Sequence, residues 1–264
     1  MDKQFNMLVI DDEQVIIDSI TKLCSAEGWQ VDSTLDAISG LKKLERKSYN
    51  LIICDIMMPD MDGFQFLEET RSRNIKTPVI ITTGFSTVEN AVKSMNSGAI
   101  DYLAKPFTVE ELISIVQRGL NYGKIMEASS NMSINMIHFI PCPSKYYRFG
   151  YSTWANIEAD GSLKIGVTDL FLRTINKIAR IELFNPEQEI VQGDIYAHIE
   201  TNDQLIHSIL SPITGKIIKQ NQSILSDFNL LEKDPYFKGW MYTIIPSDLE
   251  YELNHLTPCS SDRL

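Results

Sequence analysis

Between Met7 and about Lys124, short uninterrupted apolar runs alternate five times with amphipathic stretches, and this rhythm constrains the fold more than any other feature of the chain. MLVI (7–10), LIIC (51–54) and VIIT (79–82) are continuous and rich in branched side chains, the pattern of parallel strands covered on both faces. WQVDST (29–34) and AIDYLA (99–104) supply two more strands. Between them the apolar spacing turns helical: DAISGLKKLERKS opens on Asp36 as an N-cap, and Thr108 with Glu111 has capping-box spacing. Five β/α repeats predict a doubly wound α/β domain with a five-stranded parallel sheet.

In such a sheet functional side chains gather beyond the carboxyl ends of the strands. Strand one ends in Asp11-Asp12-Glu13, strand three in Asp55, strand four in Thr82-Thr83-Gly84 and strand five in Lys105-Pro106. Carboxylates, threonine hydroxyls and an ammonium would share one rim. Carboxylates packed so closely repel unless a cation joins them, and an all-oxygen site suits Mg²⁺. Gly63, after MPDMD, would permit the turn into the third helix.

The segments LVIDDE, LIICDIMMPDMDGFQFLEE, PVIITTG and GAIDYLAKPF resemble the receiver domain of two-component response regulators, in order and spacing, over about residues 5–124. The resemblance implies that Asp55 is the phosphoacceptor. Asp11, Asp12 and Asp55, with the Met57 backbone carbonyl, would hold Mg²⁺. It makes Thr83 the switch hydroxyl, Tyr102 the switch aromatic and Lys105 the phosphate-pairing lysine, and it implies a cis bond before Pro106. A half-buried structural tyrosine is an equally good reading of Tyr102. Cys54, Met57, Met58 and Met61 read as packing residues.

After Lys124 the pattern weakens, with Ser and Asn clustered and two prolines bracketing Cys142. Residues 125–143 read as the end of helix five and a linker. From about Tyr146 to Tyr242, short alternating runs separated by turn signals at Asp160-Gly161, Asn185-Pro186, Gln192-Gly193 and Thr214-Gly215 predict a mostly β domain. YSTWANIEADGSLKIGVTDLFLRTINKIARIELFNPEQEIVQGDIYAHIET, ILSPITGKIIKQN and DPYFKGWMYTIIPSDLEYEL resemble the H protein of the glycine cleavage system, a relative of lipoyl and biotinyl carriers. The resemblance implies a flattened antiparallel barrel-sandwich with a C-terminal helix. The domains expected are a receiver at 1–124, a linker at 125–143, an H-protein-like domain at 144–257 and a tail at 258–264.

Lipoyl carriers bear their prosthetic group on a lysine at the tip of a β-hairpin. In AHIETNDQLIHSILSPITG that position falls on Asp203 or Gln204, and no lysine occurs between Lys177 and Lys216. Neither side chain offers the primary amine that an amide to lipoate needs, so no lipoate is expected. His198 and His207 flank the turn; two imidazoles and Asp203 could bind zinc, although strand alternation favours solvated or cross-strand histidines.

The 264 residues carry 24 Lys+Arg against 35 Asp+Glu, a formal net charge of −11. The balance is −5 over residues 1–125 (13 basic, 18 acidic) and −6 over 126–264 (11 basic, 17 acidic). A field of that sign repels nucleic acid and favours a protein partner. Four cysteines without CxxC spacing, no run of about 18 apolar residues and no leader pattern imply a cytoplasmic setting, with no membrane contact. The expected function is a non-enzymatic response regulator, phosphorylated by a sensor histidine kinase or another phosphodonor, which signals to an effector protein through the second domain. A homodimer is compatible with this reading. A carrier or regulatory subunit of a glycine-cleavage-like, lipoate-linked system is the alternative, and a DNA-binding transcription regulator a third.

Overall fold

The computed structural model describes residues 5–131 and 138–263. The chain divides into two compact units, Met1–Glu127 and Ala128–Leu264. Residues 132–137 of the linker expected at 125–143, and Leu264 of the expected tail, lie outside the described residues.

In the first unit strands and helices alternate: β1 (Asn6–Ile10), α1 (Gln14–Ala26), β2 (Gln30–Thr34), α2 (Ala37–Leu44), β3 (Leu51–Asp55), α3 (Gly63–Ser72), β4 (Val79–Thr83), α4 (Val88–Asn96), β5 (Asp101–Ala104) and α5 (Val109–Asn131). The sheet is parallel throughout, in the order β2-β1-β3-β4-β5. The uninterrupted apolar runs are its central strands, buried at every position in β3 and β4, because helices cover both faces. Edge strands β2 and β5 are only half-buried, which explains their mixed sequences.

Helix starts follow the capping chemistry of the sequence. Asp36 accepts the Ser39 N–H at 2.7 Å. Asp62 and Gln65 form a reciprocal capping box on α3, and Thr108 and Glu111 form another on α5. Gly63 is required for a reason other than the turn expected from sequence. A Cβ there would stand 2.4 Å from the Asp55 carbonyl oxygen and 3.0 Å from the Ile56 Cα, so the start of α3 lies directly against the end of β3. The residue in the left-handed region of this loop is Asp60, at φ 65°.

The second unit is mostly antiparallel β. One sheet joins β6 (Tyr147–Phe149), β7 (Thr153–Ile157), β8 (Leu163–Val167), β10 (Glu189–Ile190), β13 (Gly215–Gln220), β14 (Trp240–Pro246) and β15 (Thr257–Pro258), in the order β10-β13-β14-β8-β7-β6-β15. The other joins β9 (Ile178–Leu183), β11 (Ile195–Thr201) and β12 (Ile206–Leu210), in the order β12-β11-β9. Helices are short: α6 (Asp169–Thr174), α7 (Gln222–Ser226), α8 (Asn229–Lys233) and α9 (Leu249–Leu253). The core gathers Ile165, Tyr196, Ile199, Ile217, Tyr242 and Ile244, all fully buried.

A smaller cluster of Cys142, Tyr146, Trp154, Tyr236 and Cys259, with Trp240 packed against it, draws on segments expected to be linker and tail. Ile140 is held by both of its backbone polar groups. Its N–H donates to Asp169 Oδ2 at 2.6 Å and its carbonyl accepts the Tyr236 hydroxyl at 2.8 Å, while that hydroxyl accepts the Asp169 N–H. At the other end Thr257 and Pro258 pair with β6, Cys259 is fully buried and its N–H donates to the Tyr146 carbonyl. The tail expected to begin at 258 is therefore corrected: the domain continues through this strand and the following 3₁₀ turn, because buried backbone must find hydrogen-bond partners. Among the described residues no helix is long and apolar enough to cross a membrane.

Candidate functional site

Register across the parallel sheet brings the ends of β1, β3, β4 and β5 together. Asp55 pairs with Thr82, and Thr83 with Ala104. Asp11 and Asp55 are almost completely buried, at 1% and 2% exposure, and a single ammonium stands between them: Lys105 Nζ lies 2.6 Å from Asp11 Oδ2 and 2.6 Å from Asp55 Oδ1. Glu13 is 3.8 Å from the same nitrogen, and its N–H donates to Asp11 Oδ1. Asp55 Oδ2 accepts the Met57 N–H at 2.6 Å. The Lys105–Pro106 peptide is cis.

Burial pushes the Asp11 carboxyl above the usual carboxylate range, with the Asp55 charge adding to the effect; Lys105 and the Glu13 N–H oppose it and lose. Burial would lower the Lys105 ammonium, but its bonds to Asp11 and Asp55 outweigh that and raise it. The site thus keeps its lysine charged and strains to ionise Asp11. Asp12 and Glu13 are exposed on the rim. Among the described residues no three acidic, His or Cys side chains stand as a ready metal-ligand cluster. The donor chemistry still fits a hard divalent cation: two buried carboxylates face one ammonium, the available ligands are all oxygen, and Asp12 adjoins Asp11.

Thr83 is fully buried and its Oγ1 accepts the Phe85 N–H at 3.1 Å, leaving its proton available for donation. Among the described residues the buried Tyr102 hydroxyl has no hydrogen-bond partner, and burial pushes its pKa up to about 12. Met57 and Phe85, each two residues beyond a site residue, are exposed at 55% and 65% and present apolar side chains at the mouth of the site. Met58 is buried, as a packing residue should be. Sequence reasoning placed Glu13 at the end of strand one but not its backbone role, an N–H that anchors Asp11, and it missed Phe85, which no residue-type signal distinguishes from an ordinary loop position.

In the second unit β11 and β12 form the hairpin that resembles the carrier arm, with Asp203 and Gln204 exposed at its turn and Gln204 at φ 67°. The turn is tied down. Asp203 accepts the Asn176 amide at 2.6 Å and the Thr201 hydroxyl. Burial opposes ionisation of Asp203, but these two bonds outweigh it and lower its pKa. The Lys177 carbonyl accepts the Asn202 N–H, so the backbone of that lysine borders the turn while the turn itself carries no amine.

The register agrees with cross-strand histidines and counts against the zinc alternative. His198 pairs with Ser208 and His207 with Ile199, which sends the two rings to opposite faces of the sheet. His207 is buried against Thr201 Oγ1 and His198 meets the Ser208 hydroxyl.

A family model described as the response regulator receiver domain matches residues 7–117, and one described as the glycine cleavage H-protein matches residues 145–261. The transcriptional regulatory protein HprR of Escherichia coli is 36% identical over 127 residues, 48% of this chain and 56% of that protein. ZraR of Klebsiella oxytoca, also described as a transcriptional regulatory protein, is 32% identical over 126 residues, 48% of this chain and 28% of that protein. A CheY-like receiver domain protein of Methanospirillum hungatei, solved as a crystal structure, is 32% identical, covers 46% of this chain and 98% of its own, and has a TM-score of 0.44. The chain spans about half or less of the length of the curated relatives first matched. It therefore carries a response regulator receiver domain at residues 7–117 and, at residues 145–261, a glycine cleavage H-protein domain.

Proposed function

We propose that this chain is a two-component response regulator that takes a phosphoryl group on Asp55 and signals through its H-protein domain to an effector protein. The observation that carries this reading is the Lys105 ammonium held between buried Asp11 and Asp55 at the carboxyl end of the parallel sheet. In the transfer, Asp55 Oδ attacks phosphorus, the bond from phosphorus to the donor nitrogen of a kinase phosphohistidine breaks, and the imidazole leaves with a proton. Lys105 pairs with the phosphoryl oxygens, and Thr83 donates its hydroxyl to one of them. Asp11, Asp12, Asp55 and the Met57 carbonyl would hold Mg²⁺, which receiver domains generally use and which offsets charge on the transferring group. Tyr102, whose buried hydroxyl has no partner among the described residues, follows the movement of Thr83.

Neither domain belongs to a catalytic family, and the acidic balance of both halves points the output toward protein rather than nucleic acid, in a cytoplasmic setting. The carrier alternative lacks its chemistry at the hairpin tip, where Asp203 and Gln204 offer no amine. Incubation of the full chain with a small acyl-phosphate donor and Mg²⁺ should add one phosphoryl mass, and Asp55→Asn should abolish it. The same intact-mass measurement on protein from its native host decides the alternative, since a lipoyl adduct would overturn the signalling reading of the second domain.

A further inference from the structure

Helix α4 departs from the capping chemistry of its neighbours. In α3 and α5 the third helical residue, Gln65 or Glu111, accepts the N-cap N–H through its side chain. In α4 the N-cap is Thr87, whose Oγ1 accepts the Asn90 N–H at 3.2 Å. Here the Thr87 N–H turns instead to the Phe85 carbonyl, at 3.0 Å, and the Asn90 side chain donates to that same carbonyl at 2.9 Å. A carbonyl can only accept, so this contact makes Asn90 a donor where the neighbouring helices place an acceptor.

The consequence lies at Phe85, whose side chain is solvent-exposed while both backbone polar groups are engaged. Its N–H donates to Thr83 Oγ1, inside the candidate site, and its carbonyl holds the first turn of α4. Gly84 separates Thr83 from Phe85 and would otherwise let the loop absorb a displacement. We propose that Asn90 is a positioning residue that couples the site to α4: by clamping the Phe85 carbonyl it removes the slack between Thr83 and the helix, so that a shift of Thr83 moves the first turn of α4 with it. The proposal rests on Asp55 being the phosphoacceptor.

Asn90→Asp tests it, because an aspartate is nearly isosteric and favourable in a first helical turn, yet cannot donate to a carbonyl. The full chain is measured with and without an acyl-phosphate donor and Mg²⁺, by intact mass for phosphoryl occupancy and by amide exchange over residues 84–87 and 88–96. In the parent protein loading should alter both segments. In Asn90→Asp occupancy should be unchanged and residues 84–87 should still respond. The response of the first α4 turn should fall about fivefold, the factor expected for one net hydrogen bond, and Asn90→Gln, which keeps an amide donor, should restore part of it. An undiminished response of 88–96 in Asn90→Asp, or no response there in a fully loaded parent, overturns the coupling alone. A parent that takes no phosphoryl group overturns the functional reading and the coupling with it.

Discussion

Lys105 and Asp55 stand 2.6 Å apart, ammonium to carboxylate, although they come from strands that are not neighbours in the sheet. Both follow the carboxyl ends of parallel strands, Asp55 closing β3 and Lys105 directly after β5, so the sheet delivers them to one rim. Lys105→Met would leave Asp11 and Asp55 facing each other without a cation. Removing one partner of a buried ion pair costs about 3–5 kcal/mol, so urea unfolding near neutral pH should show a loss of that order, partly recovered by Mg²⁺.

Asp11 has the opposite effect on stability. Its carboxyl is raised, mainly by burial, so the folded state favours the protonated form more than the unfolded chain does. That preference stabilises the fold below the unfolded-state value and is lost as pH rises through the raised folded-state one. Asp11→Asn mimics the protonated form at every pH and leaves Lys105 its bond to Asp55. Its Tm should exceed that of the parent near neutral pH, and the gain should vanish in acid below the carboxylate range.

Met57 places an exposed apolar side chain two residues beyond Asp55, and we expect it to hinder the water that would hydrolyse an aspartyl phosphate there. Met57→Asn replaces it with a group that can hold that water. The phosphoryl lifetime on Asp55, followed by intact mass after removal of the donor, should shorten several-fold with uptake unchanged. An unchanged lifetime would show that the side chain does not shield the phosphoryl group.

Gly63→Ala would drive a Cβ to within 2.4 Å of the Asp55 carbonyl oxygen, a backbone atom that cannot rotate away. Overpacking of this kind costs about 1–3 kcal/mol. Because the displaced peptide belongs to the proposed phosphoacceptor, the variant should also take up the phosphoryl group more slowly, which separates it from a distant destabilising change of equal cost.

Tyr236→Phe removes a hydroxyl that donates to the Ile140 carbonyl and accepts the Asp169 N–H. Leaving the buried Asp169 N–H without its acceptor costs about 1–3 kcal/mol, and the partly buried Ile140 carbonyl loses its donor as well. Thermal unfolding should show the loss in the second unit, while phosphoryl uptake at Asp55 stays as in the parent.

The first unit was legible because its rules are local. Continuous apolar runs mark strands buried on both faces, capping residues mark helix starts, and the order of strand ends places Asp11, Asp55, Thr83 and Lys105 on one rim. What escaped depends on contacts between distant residues. Tyr236 is 96 positions from the carbonyl of Ile140 that it holds, and nothing near either residue announces the pair. Cys259 looked like part of a tail because its partner strand begins at Tyr147. Strand alternation already disfavoured a shared site for His198 and His207, but only the register shows that they lie on opposite faces. Gly63 was read through its freedom of rotation, whereas its small size is what the fold uses.

Carrier arms work by reach: a long flexible side chain sweeps between stations. The turn at Asp203 is built on another principle, since Asn176 and Thr201 fix its carboxylate and the Asn202 N–H is fixed by Lys177. Any protein that meets this turn finds it already ordered, and association is spared roughly 0.5–1.5 kcal/mol for each side chain that need not be immobilised. The turn, which carries no lysine, thus offers no mobile tether, only a fixed carboxylate and backbone hydrogen bonds of set direction.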